Sequence, residues 1–348
     1  MTTAKQRNAL QPSPQATATH TSLFICGTPF QLFLSLNIIT AEQINPVSIL
    51  YLGDPDHEKA QHYLSLFPPK TLVTTFWIDH ELQHLKKKQI NQKAQRLAQQ
   101  LGHHHSVFIA NYTILFYAFL LSHLPHDSLY SFDDGADNIN PLSPLYQFHH
   151  QNHTQKLSYA FKYALRYRIQ HRLRLHPKKI LNKIKWHYTI FPQHQNIIRN
   201  TRTLKLQSLT QPPQPTESTQ QRPVIKLFIG AYFSDMFTRA ADMNQIMAKL
   251  EQFSQNQQIT HYLPHPRENA YHLPNIKHIH TLAEEYILAQ VAAGYKVALF
   301  GFGSTAQLNL ASTEHVTNHL LTAAELHPKI RFLYQHVCDD AFEVLSID

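Results

Sequence analysis

The sequence predicts an α/β protein made of two parallel-sheet halves with a cleft between them. Three observations carry this. Short apolar runs ending in Gly or a polar residue alternate with helix-like runs over 22–132, and the alternation resumes over 224–348. Such alternation implies parallel strands covered by helices on both faces. Between the halves, 211–223 (QPPQPTESTQQRP) has four prolines and no bulky apolar residue, the composition of a linker. Finally, 348 residues with 43% hydrophobic content suffice for two domains, each with its own core.

The elements follow in order. The run 22–27 (SLFICG) is a strand stopped by Gly27. Phe30, Phe33, Leu34 and Ile38 have helical spacing, which predicts a helix over 29–40. The run 47–53 (VSILYLG) is a strand, 56–67 a helix, and the β-branched and aromatic 71–79 (TLVTTFWID) a strand. A polar helix over 81–101, a strand over 106–111, an apolar helix over 113–124 and a strand over 128–132 complete the half. Within 138–210 a basic helical insert is expected. Leu157, Phe161, Leu165, Ile169 and Leu173 recur every four residues, and Pro177 can open a second helix over 178–186. After the linker come a strand over 224–230 (VIKLFIG), a helix over 237–253 and a strand over 259–263. A helix over 283–293, a strand over 296–302, a helix from Thr305 and a short terminal helix over 339–345 finish the chain. Residues 1–21 read as a polar, disordered leader without an apolar signal region. The expected domains are therefore 22–210 and 224–348, with 211–223 between them.

Composition excludes several classes. Only 8 glycines are present, and neither GxGxxG nor GxxxxGK[ST] occurs. Cys26 and Cys338 are too few for a disulfide framework or a cysteine zinc site. No apolar run approaches the length of a membrane-spanning helix. The charge is uneven. From Asn138 to Thr216 there is no Asp or Glu but there are thirteen Lys and Arg, while the other 18 Lys and Arg face 23 Asp and Glu. A formal +8 thus divides into a +13 segment on a −5 body. Such asymmetry points to an anionic partner, whether phospholipid, lipopolysaccharide, nucleotide or nucleic acid. No recognised nucleic-acid motif is present, so nucleic acid is the remotest of these.

Chemistry-bearing residues gather at predicted strand ends. Asp235 follows the strand 224–230 and can act as a general base at the cleft or cap a helix beginning near Phe237. His265 stands between Pro264 and Pro266 with Arg267 next to it. The prolines fix the backbone, and the imidazole and guanidinium suit a phosphate. Ser304 and Thr305 precede a helix, where hydroxyls and N–H groups can bind an anion or simply cap. Glu284 and Glu285 open a helix, as dipole partners or as acceptors for ribose hydroxyls. Asp133, Asp134 and Gly135 form an acidic turn, a base or weak metal candidate against an ordinary turn. His103, His104 and His105 have no spaced ligand partner and are assigned to a loop.

In this order, FDDG (132–135), HYTIF (187–191), LFIGAYFSD (227–235), PHPR (264–267), EEYI (284–287) and FGSTAQL (302–308) resemble the bacterial lipooligosaccharide sialyltransferases of glycosyltransferase family 52. Each piece alone is weak; six collinear pieces over about two-thirds of the chain are specific. The resemblance implies a GT-B architecture, two Rossmann-like domains facing across a cleft, with no metal or other cofactor. It implies inverting transfer of sialic acid from CMP-sialic acid, the nucleotide-sugar donor, to a terminal galactose of a lipooligosaccharide acceptor. Asp235 matches the base that deprotonates the acceptor hydroxyl, and His265 the acid that protonates the departing phosphate. Ser304 and Thr305 fall at the phosphate turn, with Pro266 and Arg267 alongside, and Glu284 falls at the ribose. In related sialyltransferases the acidic turn supplies the base, which makes Asp134, with Asp133 and Gly135, the rival. The context of Asp235 departs from the family pattern, so a UDP-hexose donor on the same scaffold is the alternative. The resemblance further implies a cytoplasmic homodimer peripheral to the inner membrane of a Gram-negative bacterium. The charge and periodicity of 157–186 predict a basic amphipathic helix pair on the anionic membrane surface or on the anionic core of the lipid acceptor, the alternative being an ordinary solvated helical pair packed on the N-terminal domain.

Overall fold

The strand β1 (Ser22–Cys26) is buried at every position, as a strand covered on both faces must be. Its neighbours in the N-terminal half are β2 (Val47–Tyr51), β3 (Leu72–Thr75), β4 (His104–Ile109), β5 (His126–Phe132), β6 (Ile184–Thr189) and β7 (Thr201–Thr203). They form a seven-stranded sheet in the order β3-β2-β1-β4-β5-β6-β7, parallel throughout. The C-terminal half repeats the plan with β8 (Val224–Ile229), β9 (His261–Leu263), β10 (Lys277–His278), β11 (Lys296–Gly301), β12 (Val316–Thr322) and β13 (Phe342–Ser346). Their order is β10-β9-β8-β11-β12-β13, again all parallel. The two halves are the Rossmann-like pair of a GT-B fold. In each, the chain winds outward from its first strand and then reverses, at β1/β4 and at β8/β11. Ligands of such sheets bind beyond the strand carboxyl ends at that reversal. This computed structural model describes residues 21–348 except 113, 142, 144–145, 147–179, 211–221, 239–240, 266–267, 269, 275, 280 and 339–341.

The helices are α1 (Pro29–Glu42), α2 (Glu58–Ser65), α3 (Ile78–Leu82), α4 (Lys87–Leu101) and α5 (Leu115–His123) in the first half. The second half has α6 (Phe233–Met236), α7 (Met243–Asn256), α8 (Ala283–Ala292), α9 (Thr305–Asn309) and α10 (Pro328–Val337). Local chemistry starts α1: Thr28 caps the Gln31 N–H, and Pro29, which lacks an N–H, takes the first turn. Aromatic pairs fill the space beside the central strands. Phe24 and Phe108 are partners across β1 and β4, and their rings stack with centroids 4.2 Å apart. Phe228 and Phe300 are partners at the same place in the second sheet.

Several elements differ from the sequence expectation. The run 71–79 is a strand only to Thr75, and α3 begins at Ile78. The polar helix starts at Lys87 instead of 81. His104 and His105 belong to β4 and not to a loop; His103 and His105 both bond the Asp127 carboxylate, at 2.9 and 3.0 Å. The basic region is not wholly helical. Ile184–Thr189 and Thr201–Thr203 are strands of the first sheet, so a helix to 186 is excluded. The periodic pattern over 157–173 lies outside the described residues. The helix expected over 237–253 starts at Met243, capped by Asp242, and the expected terminal helix is strand β13. In each case a pairing strand or a better cap overrode the local pattern. Short apolar runs do not distinguish strand from helix until their neighbours are known.

Candidate active site

At the C-terminal reversal the carboxyl ends of β8, β9 and β11 surround a cavity of about 350 Å³. Tyr232 and Asp235 come from the β8 loop, His265 from the β9 loop, Ser304 and Thr305 from the β11 loop, and Glu284 from α8. Five residues singled out from sequence therefore converge: Asp235, His265, Glu284, Ser304 and Thr305. Pro266 and Arg267 lie outside the described residues.

Asp235 sits in the single turn of α6. It is exposed, and its carboxylate has no partner among the described residues. The cap reading fails, because Asp242 does that work, accepting from Asn244 and Gln245 N–H groups. A carboxylate that is open to the cavity and held by no donor is available as a proton acceptor.

His265 follows β9, its ring centroid 6.3 Å from that of Tyr232. Residue Glu268, not singled out from sequence, fixes the two loops together. Its buried carboxylate accepts from Phe233 N–H at 3.0 Å in the base loop, and from Ala270 and Tyr271 N–H at 2.9 and 3.2 Å in its own loop. Its own N–H donates to the His265 carbonyl at 2.9 Å. One carboxylate thus sets the spacing between Asp235 and His265. The signal for it was adjacency to PHPR, and only the fold shows that its partner is Phe233.

The β11 turn is organised by Gln307. Its Oε1 accepts from Gly303 and Ser304 N–H at 3.0 and 3.3 Å, while Ser304 Oγ caps Gln307 N–H at 3.3 Å. The Ser304 hydroxyl is therefore occupied as a cap. The Thr305 side chain is exposed and is the hydroxyl turned to solvent there. Glu284 is only 5% exposed and accepts from Asn309 Nδ2 at 2.8 Å. Burial pushes its carboxyl above the usual range, opposed by the Asn309 bond and the Lys59 charge. Its neighbour Glu285 is no simple dipole partner. It accepts from the hydroxyls of Ser208 and Thr210 and the N–H groups of Leu209 and Thr210, tying the end of the first half to α8.

The acidic turn lies elsewhere. Asp133 is fully buried; Oδ1 bonds His187 Nε2 at 2.8 Å and Oδ2 accepts from Ile190 N–H at 2.7 Å. His187 Nδ1 in turn lies 2.8 Å from Ser131 Oγ, and the tautomer with its proton on Nε2 satisfies both bonds. A Ser–His–Asp series with no solvent access cannot meet a substrate, so it holds β5 to β6. Asp134 is held between Gln31 Nε2 at 2.7 Å, from the first turn of α1, and Asn111 Nδ2 at 3.0 Å, just after β4. It does not line the cavity among the described residues. Gly135 has φ +62° and faces the other half: a Cβ there would come within 2.8 Å of Thr305 Cγ2. The turn therefore approaches the Thr305 side chain from the other half. Among the described residues no group of three or more His, Cys, Asp or Glu side chains forms a metal-ligand set.

Two like-wound parallel sheets, with open carboxylate, imidazole and hydroxyl groups at one reversal, have the GT-B architecture. The chain belongs to glycosyltransferase family 52, whose sequence model matches residues 48–324. It is similar to a CMP-N-acetylneuraminate:beta-galactoside alpha-2,3-sialyltransferase of Pasteurella multocida, 26% identical over 83% of this chain and 87% of the relative. An N-acetyllactosaminide alpha-2,3-sialyltransferase of Haemophilus influenzae is 25% identical over 91% of this chain and 97% of the relative. In fold it is similar to a UDP-GlcNAc 2-epimerase from Neisseria meningitidis, with a TM-score of 0.50, 8% identity, and coverage of 94% and 88% of the two chains.

Proposed function

We propose that the protein transfers sialic acid from CMP-sialic acid to a terminal galactose, inverting the anomeric centre, in lipooligosaccharide synthesis. The observation that carries this is the placement of Asp235 and His265 on separate loops of one cavity, spaced by Glu268. In-line displacement needs one group on each side of the reacting carbon, held in fixed relation. Asp235 takes the proton of the attacking galactose hydroxyl. His265 gives a proton to the departing CMP phosphate, whose charge must be met as the oxocarbenium-like transition state forms. Thr305 lies at the phosphate and Glu284 at the ribose. The names of the two relatives support the donor and an α-2,3 linkage. On this reading the transfer needs no resident metal, and a chelator should leave the rate unchanged.

The test is a melting panel with CMP, CMP-sialic acid, UDP and UDP-galactose, followed by transfer assays and product stereochemistry by NMR. A ligand bound to the folded state raises the melting temperature by mass action. Stabilisation by the cytidine ligands and an inverted sialoside are expected. Turnover with UDP-galactose and none with CMP-sialic acid would overturn the reading. The basic segment 157–183, short of strand β6, is read as facing an anionic surface, which flotation with anionic and neutral vesicles checks.

A further inference from the structure

Of the described residues lining the cavity, all but one come from the C-terminal half. The exception is Lys59 on α2, which is also the only Lys or Arg among them. Its ammonium crosses between the halves and donates to the Thr281 carbonyl at 3.2 Å, just ahead of α8. Glu284, in the first turn of α8, lines the same cavity and is bonded to Asn309 on its far side. A basic group from one domain thus stands at the acidic corner of the other domain's site.

We propose that Lys59 is a positioning residue that couples the N-terminal half to nucleotide binding. From α2 it supplies a counter-charge that favours the ionised form of Glu284 as an acceptor for the nucleotide's ribose hydroxyls. This rests on the reading of the cavity as the nucleotide-sugar site. Drawing α2 away removes that counter-charge, so the nucleotide is held tightly only while the halves are together.

The electrostatics agree in sign. Burial raises the Glu284 carboxyl and lowers the Lys59 ammonium, and each charge opposes the shift of the other. Among the described residues, the other titratable groups around this corner are Glu58 and Tyr63 on α2, Glu285 on α8, and Tyr232, Asp235 and His265 across the cavity. Glu58 supports the Lys59 charge, and Tyr63, raised by burial beside Glu285 and Glu284, stays a phenol.

Calorimetric titration of the full chain with CMP and with cytidine, at several pH values, tests this. Removing the positive charge raises the pH at which Glu284 ionises, and the ionised form is the one that binds. Lys59→Met should weaken CMP and cytidine alike, by about tenfold at the acid end, with the loss shrinking as pH rises. Lys59→Gln should behave the same, and Lys59→Arg should retain most of the affinity. Glu284→Gln should weaken both ligands without that pH dependence, and Lys59→Met should add little to it. Unchanged affinity in Lys59→Met at every pH overturns the proposal. So does a loss for CMP with cytidine untouched, which makes Lys59 a direct phosphate contact, or an undiminished loss on the Glu284→Gln background. If the wild type binds UMP and not CMP, the donor reading alone fails, and Lys59 is judged by the same ratios with UMP and uridine.

Discussion

The two halves have the same strand order, yet their reversals are used in opposite ways. At β1/β4 the polar side chains close on each other: Gln31 and Asn111 hold Asp134, and His187 and Ile190 N–H hold Asp133. At β8/β11 they remain open: Asp235 and Thr305 are exposed around a cavity of about 350 Å³. The comparison teaches that an acidic group at a strand end is not yet a catalyst. Whether its lone pairs are already engaged decides if it can take a proton. The closed reversal builds a turn; the open one leaves its carboxylate and hydroxyl groups available to a ligand.

Four changes sharpen or break this contrast. The largest effect belongs to the open side. Asp235→Asn and His265→Ala should each lower kcat by about 10²–10⁴-fold while CMP affinity and melting temperature hold. Equal activity of Asp235→Asn, with loss in Asp134→Asn, would reverse the roles of the two reversals. Next is the closed side. Asp133→Ala strips the acceptor from three buried donors, His187 Nε2, Ile190 N–H and Asn138 Nδ2, and roughly 2–4 kcal/mol of stability should be lost in denaturant titration. A third change joins the two. Gly135→Ala places a side chain at φ +62° and drives its Cβ toward Thr305 Cγ2. A loss of about 1–2 kcal/mol is expected, with a raised KM. Thr305→Ser deletes the opposing methyl and should restore part of the stability, which backbone strain alone would not allow. The smallest is Ser304→Ala, which removes a cap worth about 1 kcal/mol and should shift melting more than kcat.

The chain of residues from Asp235 to Thr305 was readable because each lies where a strand-like run stops and a helix-like run starts, and such ends face the crevice in a parallel sheet. The supporting residues were not. Glu268 reads as one more charged residue after a proline-rich turn until Phe233 is seen to donate to it. Lys59 reads as a surface lysine on a polar helix until the other half approaches. Strands β6 and β7 were hidden in a basic stretch because they are the last two strands of the sheet, β7 at its edge, and carry the exposed Lys185 and Arg202.

By itself, the sequence determined the α/β class, the two halves and the positions of the strand-end groups. Those depend on short-range periodicity, which the local chain expresses directly. It also determined the charge asymmetry, which is a property of composition. The tertiary structure alone decided which carboxylates are engaged and which are open. Asp133, Asp134 and Asp235 differ little in local context, but their partners come from 5 to 103 residues away or, for Asp235, from none among those described. A proton acceptor is defined by donors that are absent, and no local reading of the chain can establish that.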